Sequence, residues 1–312
     1  MLVHTKYNMA ALSLGGRELC ASVPAALLGT AALGVVYVGC LYVRADYRRQ
    51  GGRAPDRNDP RVIRQRFVRV GIASALAPFV SVLALALPGR SSPCAPGATI
   101  PHWFGLWAST PAAFMLGAAL PLGITVVLFL GPLVMAWLER DPYTPAWLQL
   151  FPNAHGSSDP LHLVRNLLVG PLSEEWVFRA CACPLLASAG LGDGANVFVS
   201  AVVFGLAHVH HVFDADVGWV AVAVQFTYTS LFGAYSSYLF LRSGQLIGPL
   251  LAHSFCNSQG LPPFGRVPGH PQAELVGGAF VLGLGAFIAL VTLDANYRPA
   301  LFASIFWREL GA

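Results

Sequence analysis

Glu174, Glu175 and Arg179 stand in the string Gly170-Pro171-Leu172-Ser173-Glu174-Glu175-Trp176-Val177-Phe178-Arg179, inside an otherwise apolar stretch. Ionisable side chains in apolar helices are costly, so each is by default a functional candidate. On a helix Arg179 lies four residues from Glu175, within reach of an ion pair, while Glu174 is rotated about 100° away. One carboxylate is thereby neutralised and the other is left for chemistry. An unpaired, partly buried glutamate suits a general base that takes a proton from water. The competing reading is a buried ion network that only locks helices together.

Two further clusters follow. His208, His210 and His211 close the stretch Val203-Phe204-Gly205-Leu206-Ala207-His208-Val209-His210-His211, where Phe204 and His208 share a helical face and Gly205 and Ala207 leave room for a neighbouring helix. Three histidines near a helix end point to chemistry or a metal site, against the alternative of packed, hydrogen-bonded rings. His253 and Asn257 are again four apart on one face, and both can donate hydrogen bonds to a developing oxyanion. Helix-to-helix hydrogen bonding is the plainer reading of that pair alone. Together, a glutamate, two histidines and an asparagine make a water-activating hydrolytic site. The sequence has no HExxH string for a zinc protease and no GxSxG elbow for a serine hydrolase. On ligand type alone, a metal held by Glu174, His208 and His253 stays open. Cys256, within a turn of His253 but in an apolar run, is a poor nucleophile, and Ser173 reads as a local hydrogen-bonding residue.

Positioning these groups falls to apolar helices. The chain has 312 residues, 55% hydrophobic and 11% charged, far below the roughly 25% charged of soluble proteins. An all-α, polytopic transmembrane bundle of about eight spans is predicted, at 19–43, 68–88, 111–138, 161–187, 195–213, 217–241, 245–259 and 273–293. A β-barrel is disfavoured because the runs do not alternate apolar and polar residues. No long polar segment flanks the spans, so residues 1–312 read as one membrane-embedded domain with a motif core at 170–261. The first run is too long for a signal-peptide core and leads straight into arginines, so it reads as a retained span.

Nine of the eighteen arginines fall between Arg44 and Arg69, against three aspartates, which assigns that loop to the cytosol. The run sits between apolar spans with few aromatics, which fits lipid headgroups and sets aside nucleic acid. With eight spans, the start of the fourth and the ends of the fifth and seventh then meet in the cytosolic half of the bilayer. The six cysteines, mostly within or beside apolar runs, imply no disulfide framework, and Cys181 and Cys183 read as small packing residues.

The string from Gly170 to Arg179 resembles the EExxxR motif of the type II CAAX prenyl endopeptidases, the Ras-converting family related to bacterial bacteriocin-processing proteins. Phe204 to His208 resembles the family's FxxxH, and His253 to Asn257 its HxxxN. The segment Gln225-Phe226-Thr227-Tyr228-Thr229-Ser230-Leu231-Phe232-Gly233-Ala234-Tyr235 and the pair Gly248-Pro249 are similar to the eukaryotic branch. The resemblance runs from Gly170 to Leu261. It implies an endoplasmic reticulum enzyme that removes the terminal tripeptide from prenylated CAAX proteins, small GTPases among them, without a cofactor or metal. By motif position Glu174 and His208 would activate the water, His253 and Asn257 would stabilise the oxyanion, and Glu175 and Arg179 would support them. His210 and His211 match no motif. A site in the cytosolic half would receive both the peptide and its bilayer-embedded lipid, with Phe226, Tyr228 and Phe232 as candidate lipid-lining residues. A non-catalytic membrane scaffold of the same fold is the alternative, and four intact site residues argue against it.

Overall fold

Short capping residues before apolar runs set where the helices begin. The computed structural model describes residues 11–42, 58–87, 97–141, 160–210, 218–297, 302 and 304–307. Two strands, β1 (Ala11–Leu14) and β2 (Arg17–Leu19), open the described chain as an antiparallel hairpin. Its turn is Gly15-Gly16, both at positive φ, the conformation a two-residue hairpin turn demands and glycine supplies without strain. Helix α1 (Val23–Tyr42) therefore starts four residues later than the predicted span, after Ser22, whose hydroxyl accepts the Ala25 N–H at 3.4 Å. Helix α2 (Pro60–Ala86) is N-capped by Asp59, which accepts the Arg61 N–H at 2.7 Å, with Pro60 in the first turn where its missing N–H costs nothing.

A short strand, β3 (Gly97–Ala98), pairs parallel to β1, giving the sheet order β2-β1-β3, and leads into the one-turn helix α3 (Ile100–Trp103). The predicted span 111–138 is two helices, α4 (Pro111–Leu128) and α5 (Leu130–Leu138), which divide at Phe129. Pro132 accounts for the break, because it has no N–H to give the Leu128 carbonyl four residues back.

The predicted span 161–187 is one helical path, α6, over residues 160–188. It is α-helical at Pro160–Val164, Gly170–Glu175 and Ala182–Ser188, and winds as wider π turns at Arg165–Val169 and Trp176–Cys181. Helices α7 (Asp193–His208), α8 (Trp219–Ser243) and α9 (Ile247–Gln259) follow, then a 3-10 turn at Phe264–Gly269 and α10 (Ala273–Tyr297). Four helical segments, Val23–Tyr42, Pro60–Ala86, Pro111–Leu128 and Ala273–Leu293, are long and apolar enough to cross a bilayer by themselves. With 13 residues, α9 rises only about 20 Å.

The bundle is organised around α6. Helix α1 packs on α2, α6 and α7; α7 lies along α8; α9 seats against α4; and α10 covers α4 and α5 from outside. Close approach follows from glycine: a Cβ at Gly248 of α9 would stand 2.5 Å from the Gly117 carbonyl oxygen of α4, and one at Gly29 of α1 would stand 2.7 Å from the Ala84 Cβ of α2.

One expectation is corrected. Cys20, at the entrance to α1, is disulfide-bonded, with a partner outside the described residues, whereas the cysteine spacing implied no disulfide. Cys181 and Cys183 are free and fully buried, packing as expected.

Candidate active site

The single α-helical turn Gly170–Glu175, bracketed by the two π turns, holds both glutamates. A π turn shifts the side chains that follow it around the helix axis, and such turns concentrate at functional sites. Glu174 and Glu175 consequently face different surroundings. Glu175 is fully buried, and Arg179, also fully buried, brings Nε to 3.2 Å from Glu175 Oε2, the ion pair expected from their spacing. The guanidinium lies over the Phe204 ring at 4.2 Å and faces Phe232 at 5.9 Å, so cation–π contact supplements the ion pair.

Glu175 does more than neutralise Arg179. His253 Nδ1 donates to Glu175 Oε1 at 2.7 Å, and the Ser236 hydroxyl donates to Glu175 Oε2 at 2.6 Å. Binding Nδ1 fixes the ring of His253 and turns Nε2 the other way, toward Glu174. Phe232 packs against the same imidazole in a tilted arrangement at 4.7 Å between ring centres.

Glu174 keeps partial access, with a side chain 21% exposed, and its Oε2 lies 3.9 Å from both His208 Nε2 and His253 Nε2. Those separations exceed a direct hydrogen bond and match one bridged by a small molecule such as water. His208 Nδ1 donates to the Phe204 carbonyl at 2.8 Å. A carbonyl only accepts, so in the neutral ring Nε2 is the acceptor, and it is aimed at Glu174.

The i, i+4 pairing of Phe204 and His208 thus has a physical meaning: the phenylalanine supplies the carbonyl that sets the histidine tautomer, and its ring packs on the imidazole at 4.6 Å.

Asn257 and Ser254 bind helix α9 to the first π turn of α6. Asn257 Nδ2 donates to the Asn166 carbonyl at 2.9 Å, and the Ser254 hydroxyl donates to the Leu167 carbonyl at 2.8 Å. The structure therefore brings Glu174, His208 and His253 around one carboxylate oxygen, and places Asn257 one turn beyond His253 with its amide on the backbone of α6. His210 turns away, its Nδ1 donating to the Ala207 carbonyl at 2.6 Å while its ring meets Tyr42 edge-on, and His211 lies outside the described residues. Among the described residues no three His, Cys, Asp or Glu side chains form a metal-binding group.

Two residues of the site carry no spacing signal in the sequence. Ser236 is one. Tyr37 of α1 is the other: its hydroxyl lies 2.9 Å from Ser173 Oγ, which in turn donates to the Gly170 carbonyl at 3.0 Å, tying α1 to the residue beside Glu174. Phe232, a candidate for lining the lipid groove, lies against His253 of the site, and Phe226 reaches toward Gly205 of α7. Of the three candidate lipid-lining aromatics, Tyr228 is the exposed one.

The fold is a polytopic membrane bundle of helices, with Glu174, His208 and His253 brought together on interior helix faces. The family model described as "Type II CAAX prenyl endopeptidase Rce1-like" matches residues 156–259. The chain is 37% identical to the human protein named CAAX prenyl protease 2 over 80% of its own length and 76% of that protein's. It is 34% identical to the rat protein of that name, over 80% and 74%. A fission yeast protein named probable CAAX prenyl protease 2 is 31% identical, over 74% and 80%. No solved structure matches. The chain belongs to the type II CAAX prenyl endopeptidase family, and it is a multi-pass membrane peptidase.

Proposed function

We propose that this enzyme removes the C-terminal tripeptide from prenylated CAAX proteins at the cytosolic side of the endoplasmic reticulum membrane. The observation that carries the reading is the convergence of His208 Nε2 and His253 Nε2 at 3.9 Å from Glu174 Oε2. A water held there gives one proton to Glu174 while the lone pair of His208 Nε2 orients it for attack on the scissile carbonyl. His253 has its Nδ1–H held by the Glu175 carboxylate, and its doubly protonated ring is the donor in this reading. In that state Nε2–H donates to the oxyanion, with Asn257 as its companion donor. Glu174 then returns the proton to the leaving amine. The reading needs no metal.

Orientation has two supports. The arginine-rich stretch follows the C-terminal end of α1, and the disulfide of Cys20 precedes its N-terminal end. Disulfides persist on the oxidising side of a membrane and arginines accumulate on the cytosolic side, so both support a reading with the α1 N-terminus in the lumen. The experiment compares a farnesylated C-terminal peptide with its unprenylated counterpart, in membranes carrying the wild type or Glu174→Ala. Tripeptide release from the farnesylated peptide by the wild type alone is the expected result. Equal release by both proteins, or release by neither when both are folded, contradicts the reading.

A further inference from the structure

Helix α8 contributes no residue to the three motifs, yet it touches both members of the buried pair behind the reactive glutamate. Phe232 and Ser236 are four residues apart and so share one face of α8. Phe232 lies on the His253 ring at 4.7 Å, and the Ser236 hydroxyl donates to Glu175 Oε2 at 2.6 Å. Ser236 is itself fully buried. The intervening Gly233 lets α8 come this close: a Cβ there would stand 3.1 Å from Phe204 Cδ1 and 3.2 Å from Ala201 Cα on α7.

The Glu175 carboxylate has two oxygens and three neighbours. Oε1 accepts from His253 Nδ1, and Oε2 accepts the Ser236 hydroxyl at 2.6 Å and lies 3.2 Å from Arg179 Nε as an ion pair. Arg179 alone leaves the carboxylate plane loosely set, because none of its three guanidinium nitrogens has a hydrogen-bond partner among the described residues and its Nε meets Oε2 as an ion pair only. The Ser236 bond, shorter and from a different helix, settles the rotation that presents Oε1 to His253.

From this geometry we infer that Ser236 is a positioning residue for the hydrolysis: its hydroxyl sets the rotation of Glu175, which aims His253 Nε2 at the water and oxyanion position beside Glu174. The inference rests on the functional reading above and deepens it. Ser236 touches neither substrate nor water. Its contribution therefore falls on the chemical step, with substrate binding unchanged.

The test measures kcat and KM for a farnesylated peptide with the purified full chain in lipid nanodiscs. It compares wild type, Ser236→Ala, Ser236→Thr, Glu175→Gln and the double variant Ser236→Ala/Glu175→Gln. A hydrogen bond to a buried carboxylate supports a loss of about tenfold or more in kcat for Ser236→Ala, with KM within about twofold. Ser236→Thr keeps the hydroxyl and restores most of kcat. In the Glu175→Gln background, Ser236→Ala adds less than about a twofold loss, because the two act as one unit.

Unchanged kcat in Ser236→Ala overturns the inference. So does a loss that recurs in full in the Glu175→Gln background, or one that threonine fails to rescue while kcat and KM worsen together. A folded wild type that does not cleave the peptide overturns the functional reading and the inference with it, whereas a cleaving wild type with an equally active Ser236→Ala overturns the inference alone.

Discussion

Two adjacent glutamates stand in different surroundings because the helices around them differ. Glu175 is fully buried against Arg179, Ser236 and His253, and Glu174, one position earlier, keeps a partly accessible side chain shared between two histidines. Glu175→Gln replaces a carboxylate with an amide that can turn an N–H toward His253. It is expected to lower kcat by about 100-fold or more with little change in KM, as steady-state kinetics on prenylated peptide would show. Arg179→Met leaves the Glu175 charge buried and without its cation, so a loss of about 3–5 kcal/mol of stability is expected in a thermal melt of the purified protein. Glu174, His208, His253 and Asn257 were legible because ionisable or amide groups at helical spacing in apolar runs are conspicuous. Ser236 and Tyr37 were not, since a serine or tyrosine in a membrane helix has no pattern of its own and gains its meaning only from a partner on another helix.

Helices bring these groups together through narrow contacts, and glycine marks the tightest of them. Gly205 of α7, three residues before His208, is packed so closely that an added Cβ would collide with the Ser230 hydroxyl and stand 3.1 Å from the Phe226 ring. Gly205→Val therefore pushes α7 from α8, with an expected cost of about 1–3 kcal/mol and a displaced His208. Gly39→Ala on α1, where nothing lies within 4 Å, is the matched control and leaves melting temperature and kcat unchanged. Helix existence and order were readable from apolar run length. The break at Phe129 was readable in principle from Pro132, and the opening hairpin from Gly15-Gly16. The two π turns of α6 were not, because a π turn is selected by tertiary contacts, here the side chains of Asn257 and Ser254 on the Asn166 and Leu167 carbonyls, and not by composition.

Across the whole molecule, a small sheet and the described C-terminal residues gather at the N-terminal end of α1 and the C-terminal end of α8. The sheet β2-β1-β3 lies there beside the Cys20 disulfide. The C-terminal segment folds against the end of α8: Ser304 donates to the Leu241 carbonyl at 2.6 Å, and the Phe306 ring stacks on Phe240 at 5.6 Å. In sealed microsomes, a membrane-impermeant maleimide is expected to label Cys20 only after reduction and permeabilisation, read as a mass shift on the peptide that contains it; labelling of reduced but sealed vesicles would invert the orientation. The arginine run carries an expectation of orientation in the sequence, while the disulfide at Cys20 has no spacing signal there.

The most direct test of a glutamate-activated water is tripeptide release by purified, folded Glu174→Gln under single-turnover conditions, beside wild type with and without a strong chelator. The account predicts rapid release by the wild type, no effect of the chelator, and a rate for Glu174→Gln lower by about 1,000-fold or more. Release by Glu174→Gln at the wild-type rate would contradict it, and so would complete loss of wild-type release on chelation that returns with added metal.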